Sequence, residues 1–382
     1  MQQQGEYQMA KDWAGWVGAM VGVIGVGFAA QQYFFGTFAT TKIDDVKGCN
    51  GFLIKEKPVI SFKQVIPEAL EKKYLQDKIL SCRDELQKND KNAIAYTNIG
   101  EAMRRLGDLP NALVAQQKAR KLDPNLQEAE LGLASVQANM GKIAEANKTI
   151  QDTLAQKESA IAYFYQGIAF GEQKDLKSAE ASFRRVISLD PNLAGAHYNL
   201  GLALGTQGKT TDAITAYQKA ISINPNFAEA YTNLGASLDD QGKIAEAITA
   251  YQKAISINPN FALTYSNLGV VLNKQGKTAE AIAAYQKAIS INPNFAPTYT
   301  NLGIVLNKQG KTAEAIAAYQ KAISIDPTYA DAHIEWGFVL AGQGNLEGVI
   351  AKLRKARDLY RDQGNTQQVD KITQILKKLG NR

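Results

Sequence analysis

Five prolines, Pro191, Pro225, Pro259, Pro293 and Pro327, follow one another at intervals of 34 residues in this chain of 382. Pro124 precedes Pro191 by 67 residues, two periods less one residue. A period of this length marks a stacked repeat, in which one supersecondary unit recurs and each copy packs on the next. Segments 262–295 and 296–329 differ at only six positions, so one local fold must serve both.

Inside each period the apolar spacing is helical. In the segment starting at Ala228, Tyr231, Leu234, Gly235 and Leu238 fall on one face of a first helix. Ala247, Tyr251 and Ala254 fall on the facing side of a second. Gly235 and Ala247 are small enough for the two axes to approach to about 8–10 Å. Gly242 suits the turn between them, where a positive φ costs glycine little. Pro259 cannot continue the second helix and forces Asn258 out of the helical region. One hairpin cannot bury both of its faces, whereas a stack of hairpins can.

The pattern YTNLG…QGK…EAI…YQKAISINPNF resembles the tetratricopeptide repeat. The resemblance covers roughly residues 93–363, as eight units starting at Ala93, Gln127, Ala160, Ala194, Ala228, Ala262, Ala296 and Ala330. The second unit departs from the pattern, with Glu130 where its neighbours carry an aromatic residue or histidine. The last carries Arg361 in place of the proline. His197 and His333 take the position of Tyr231, Tyr265 and Tyr299 and read as packing residues. So does Trp336, which stands where Leu234 does in its own unit. The resemblance implies an all-α fold, a right-handed superhelical α-solenoid of hairpins with first helices lining a concave groove. It also implies a non-enzymatic protein that binds other proteins.

Residues just before the small glycine point into that groove in the resembled fold. Asn98, Asn199, Asn233, Asn267 and Asn301 all stand two before it, the last four in consecutive units. They would form a ladder of side-chain amides, one rung per repeat of about 10 Å. An amide both donates and accepts, so it can hold the backbone of an extended peptide without reading its sequence. A similar ladder binds polypeptide in protein O-GlcNAc transferases; only the ladder is carried over here, not the activity. Tyr165 and Glu335 replace the rung in two units. One helix turn further, Leu202, Ala236, Val270, Ile304 and Phe338 grow in bulk and could form pockets for partner side chains. Lys274 and Lys308, with Asn273 and Asn307, add a mildly basic wall suited to an acidic or C-terminal carboxylate partner. Family members that clamp a carboxylate use more basic positions than these. The candidate peptide-binding set is therefore Asn199, Asn233, Asn267, Asn301, Val270, Ile304, Lys274 and Lys308.

Both ends of the array need a cover with a polar outer side. Over 67–92, Leu70, Tyr74, Leu75, Ile79, Cys82 and Leu86 recur at threes and fours, which predicts an N-terminal capping helix. Over 366–380, Val369, Ile372, Ile375, Leu376 and Leu379 form one stripe, with Lys371, Lys377 and Lys378 facing elsewhere. This predicts a C-terminal capping helix.

Ahead of the array lie a tail (1–12), an apolar segment (13–35) and a linker (36–66). Residues 13–30 read WAGWVGAMVGVIGVGFAA. Eighteen helical residues span about 27 Å, close to a hydrocarbon core of about 30 Å. Trp13 and Trp16 sit at one end, and Tyr33, Phe34 and Phe35 at the other, as in an interfacial belt. A transmembrane helix fits best. A cleaved signal peptide would want more positive charge than Lys11 supplies against Glu6 and Asp12. A buried soluble helix is the third reading. Gly15, Gly18, Gly22 and Gly25 share one stripe, which lets two such spans pack closely, as a homo-oligomer or against a partner's span. Lys42, Lys47, Lys55 and Lys57 follow the segment while Lys11 alone precedes it, so the repeats lean cytoplasmic on a single-pass membrane protein. The cysteines lean weakly the other way: Cys49 and Cys82 are either free thiols or, in an oxidising compartment, a disulfide.

A hydrophobic content of 45% and a charged content of 21% suit an ordered chain. The net charge of +6 comes from 43 basic and 37 acidic residues that are interspersed, which reads as a solvated surface and not a nucleic-acid face. Two cysteines and two histidines, scattered, make a poor metal site. No nucleophile–base arrangement or phosphate-cradling glycine loop appears, so neither an enzyme nor a cofactor is expected. The reading is a membrane-anchored scaffold that binds an extended segment of a partner protein in its groove. The alternative is an assembly subunit of a membrane complex, joined through the glycine-striped span and the outer repeat surface.

Overall fold

The structure is a computed structural model, and it describes residues 68–156 and 158–380. The tail, the apolar segment 13–35 with Gly15, Gly18, Gly22 and Gly25, the linker and Cys49 lie outside the described residues. Among the described residues, no helix is long and apolar enough to cross a membrane. All the regular structure described is helical. Helix α1 spans Glu68–Lys88, and eight hairpins follow. They pair α2 (Ala93–Arg105) with α3 (Leu109–Leu122), α4 (Gln127–Asn139) with α5 (Ile143–Gln156), and α6 (Ala160–Glu172) with α7 (Leu176–Leu189). Next come α8 (Ala194–Thr206) with α9 (Thr210–Ile223), and α10 (Ala228–Asp240) followed by α11 (Ile244–Ile257). The last are α12 (Ala262–Lys274) with α13 (Thr278–Ile291), α14 (Ala296–Lys308) with α15 (Thr312–Ile325), and α16 (Ala330–Gly342) with α17 (Leu346–Asp362). Helix α18 (Thr366–Gly380) ends the array.

Local chemistry sets the helix ends. Asn92, Asp108, Ser159, Asp175 and Asn345 each stand at an N-cap and accept a hydrogen bond from a first-turn amide. The hairpin turns close through a left-handed glycine. Gly276, at φ 76°, donates to Asn273 O while Lys277 N donates to Leu272 O, a pairing that satisfies the last carbonyls of α12. Where the third unit lacks this glycine, Lys174 takes the same conformation at φ 61°.

The described residues gather into two compact bodies. One comprises 68–243 with 256–258; the other comprises 244–255 with 259–380. In the first, α1 packs on α2 and buries Leu75, Ile79 and Cys82. Cys82 is wholly buried beside Ala95, Ile99 and Ala115, and it is disulfide-bonded. The first helices α2, α4, α6, α8 and α10 touch in succession, each also packing on its own or the preceding second helix. Phe183 and Tyr217 fill the hairpin interiors against Gly167 and Gly201, where an added Cβ would meet the ring at 2.8 and 2.6 Å. In the second body Tyr285 and Tyr319 lie against Gly269 and Gly303 in the same way, each at 2.6 Å. Helix α18 lays Val369, Ile372, Ile375, Leu376 and Leu379 on the cluster formed by Ile334, Val349, Leu353, Leu359 and Tyr360.

His197 is buried, and its Nε2 lies 3.0 Å from Pro191 O. His333 is 7% exposed, and neither of its ring nitrogens is hydrogen-bonded to a described residue. Trp336 packs beside Leu306, Tyr319 and Val339, and the Lys352 ammonium sits 3.2 Å from the centre of its ring.

Candidate functional site

The predicted rungs all stand on first helices, but their side chains are engaged differently. In the first body Asn98 is fully buried. Asn199 is 5% exposed and donates from Nδ2 to Gly195 O of its own helix at 2.7 Å. Asn233 is half-buried and donates from Nδ2 to the Tyr198 hydroxyl at 2.8 Å, which ties α10 to α8. These two amides spend a donor inside the protein. Tyr198 can reach Asn233 because it stands where later units carry Ser266 or Thr300.

In the second body Asn267 and Asn301 are half-buried and make no hydrogen bond to any described residue. Below them Thr298 Oγ1 donates to Ser266 Oγ at 3.0 Å, holding the buried sides of α14 and α12 together. Val270 and Ile304 rest on the clusters around Tyr285 and Tyr319 and keep part of their surface exposed. Lys274 and Lys308 are exposed at the ends of the same two helices. The second body thus brings together six of the eight predicted residues on α12 and α14. Asn199 and Asn233 belong to the first body.

The next first helix, α16, adds two carboxyls, Asp331 and Glu335, the second of which stands at the rung position. Burial pushes the Glu335 carboxyl up to about 7, Asp331 pushes it the same way, and Lys308 opposes them. Asp331 is also raised by burial, against the hydrogen bond it accepts from the Tyr360 hydroxyl. Glu335 itself has no hydrogen bond or ion pair within hydrogen-bonding distance among the described residues. The signal for this acid was legible: Asp331 and Glu335 are four apart, one turn of a helix, so they share a face.

Charge is divided unevenly along the chain. Residues 244–382 hold sixteen basic and ten acidic residues, whereas 1–243 hold twenty-seven of each, so the whole net charge falls in the later part. Among the described residues no group of histidines, cysteines and carboxylates could hold a metal ion.

Sequence models of the TPR repeat match residues 167–208, 206–239 and 237–276, and models of the tetratricopeptide repeat match 260–328 and 300–364. Together they run from 167 to 364, over half of the chain. Among solved structures, a chain of the APC/C hetero-tetramer Cut9–Hcn1 is 18% identical with a TM-score of 0.57, covering 80% of this chain. This chain spans 59% of that one, and the likeness is one of fold. MamA is 31% identical over 43% of this chain and 96% of its own, with a TM-score of 0.39. The pilF protein of Pseudomonas aeruginosa is 20% identical over 56% of this chain and 98% of its own, with a TM-score of 0.47. No curated protein sequence matches.

Proposed function

This chain belongs to the tetratricopeptide repeat family, whose members are protein-interaction scaffolds, and from that premise we propose that it binds an extended peptide segment along α12 and α14. The observation that carries this reading is the pair Asn267 and Asn301, two half-buried amides one repeat apart with no hydrogen bond to any described residue. A peptide backbone supplies both the donor and the acceptor they lack. Val270 and Ile304 receive apolar side chains of the segment. Lys274 and Lys308, in a part of the chain that holds the entire net positive charge, favour a segment with acidic residues. Asn199 and Asn233 serve mainly as internal ties, because each already commits a donor inside the protein. The apolar segment 13–35 anchors the scaffold on a membrane, and its glycine stripe lets copies associate.

Peptides selected from a random library on the full chain test the binding part. Two lost hydrogen bonds of about 1 kcal/mol each predict a fall in affinity of at least about tenfold for Asn267→Ala with Asn301→Ala. Asn199→Ala should leave affinity nearly unchanged. Equal losses at all rungs, or none at Asn267 and Asn301, would refute the assignment. Removing residues 1–42 tests the anchor: the chain should leave the membrane fraction and still bind the selected peptides. Retention on membranes after that truncation would count against anchoring by 13–35.

A further inference from the structure

The fourth position of each unit carries an aromatic residue or histidine in seven of eight copies: Tyr96, Tyr163, His197, Tyr231, Tyr265, Tyr299 and His333. Where its polar end is bonded, it meets the loop before its own unit. Tyr299 donates to Pro293 O at 3.2 Å, and the His197 ring nitrogen lies 3.0 Å from Pro191 O. In two units the ring is also flanked by a cation from the second helix of its own unit. Lys118 stands 5.9 Å from the centre of the Tyr96 ring, and Arg185 stands 5.9 Å from that of Tyr163.

The second unit has lost both parts. Glu130 replaces the ring, and Asp152 stands where the cation should be. A cavity of about 590 Å³, wide open to solvent, lies beside Glu130 and is lined by Gln117, Arg120, Lys121, Pro124, Glu130 and Gln156. Pro124 is the loop proline that corresponds to Pro191 and Pro293. The Glu130 carboxyl lies 3.8 Å from the Arg120 guanidinium. Burial raises its pKa, while Arg120 opposes that shift and the nearby Asp152 adds to it. Arg120 and Lys121 supply from the preceding helix the cations that the unit's own helix lacks.

We propose that this cavity receives a tyrosine side chain of a partner protein, which completes in trans the ring position that the other seven units fill for themselves. The ring would lie against Pro124 with Arg120 and Lys121 at its faces. Its hydroxyl would be within reach of the loop, as in the unit of Tyr299, and of the amides of Gln117 and Gln156. The inference is independent of the peptide strip on α12 and α14.

The test uses the full chain, labelled with nitrogen-15, and the blocked peptides Gly-Gly-Tyr-Gly-Gly and Gly-Gly-Ala-Gly-Gly. The tyrosine peptide should shift the side-chain resonances of Gln117, Gln156 and Arg120 saturably, and the alanine peptide should not. Glu130→Tyr should abolish the response by filling the cavity from within. Arg120→Gln, which leaves the cavity open, should weaken it several-fold. Asn267→Ala with Asn301→Ala should leave it intact. No saturable shift, an equal response to the alanine peptide, or a response that survives both Glu130→Tyr and Arg120→Gln overturns the proposal.

Discussion

The glycine at the eighth position of a unit and the tyrosine at the twenty-fourth act as one packing device. Gly303 leaves room for the Tyr319 ring, and a methyl group there would sit 2.6 Å from a ring carbon on a buried residue that cannot turn away. Gly303→Ala should therefore destabilise the second body by about 1–3 kcal/mol, read as a lower urea midpoint. Combining it with Tyr319→Leu should recover part of the loss. Lys174 offers the opposite case. It holds a left-handed conformation that costs a residue with a Cβ about 1 kcal/mol, and its side chain is exposed. Lys174→Gly should raise stability by roughly 0.5–1 kcal/mol; an unchanged or lower midpoint would contradict this. Glu335 makes stability depend on pH. Its carboxyl titrates near 7 in the fold and near 4.5 when unfolded, so the folded state holds the proton more tightly. Its stabilising contribution is full below 4.5 and is lost as pH rises through about 7. Glu335→Gln should remove that slope and make the protein about 2 kcal/mol more stable than the parent at pH 8.

The first helices show what could be read from the chain and what could not. Helix starts were legible because each unit opens on an alanine or glutamine 33 or 34 residues after the last, and the turn glycines mark where the first helix stops. Cap burial was legible too, since Ile372 and Leu379 are spaced to share a face. The state of the asparagines was not. All four occupy equivalent positions, yet Asn199 turns back on Gly195 and Asn233 turns to Tyr198, while Asn267 and Asn301 find neither partner. A position in a repeat gives the direction of a side chain, whereas its bonding depends on which non-repeating residue happens to be within 3 Å. The cavity at Glu130 was hidden for a similar reason. The substitution is visible in sequence, but closure by the neighbours was equally compatible with it until the geometry was known. For the same element-level reason, Tyr198→Phe should release the Asn233 amide. It should loosen α10, read as faster amide exchange in that helix with little change elsewhere; unchanged exchange would show the tie to be idle.

In a stack of hairpins each unit packs on its neighbours, so the stability is close to a sum over neighbours. Units 262–295 and 296–329 are nearly identical and belong to one body, so removing 296–329 joins Phe295 to Ala330 in the register that Tyr329 held before. The shortened chain should fold with the same helix content per residue and melt cooperatively at a lower temperature. A deletion of half a unit, 296–311, should not. Loss of helix in both chains would mean that the copies are not interchangeable units. The amides divide along the same lines: Asn199 and Asn233 are internal ties in one body, and Asn267 and Asn301 make no hydrogen bond to any described residue in the other.

The most direct test follows the side-chain amide resonances of Asn199, Asn233, Asn267 and Asn301 while a selected peptide is added to the full chain. The account predicts saturable shifts at Asn267 and Asn301 with Asn199 and Asn233 unmoved. Shifts confined to Asn199 and Asn233, or spread equally over all four, would contradict it.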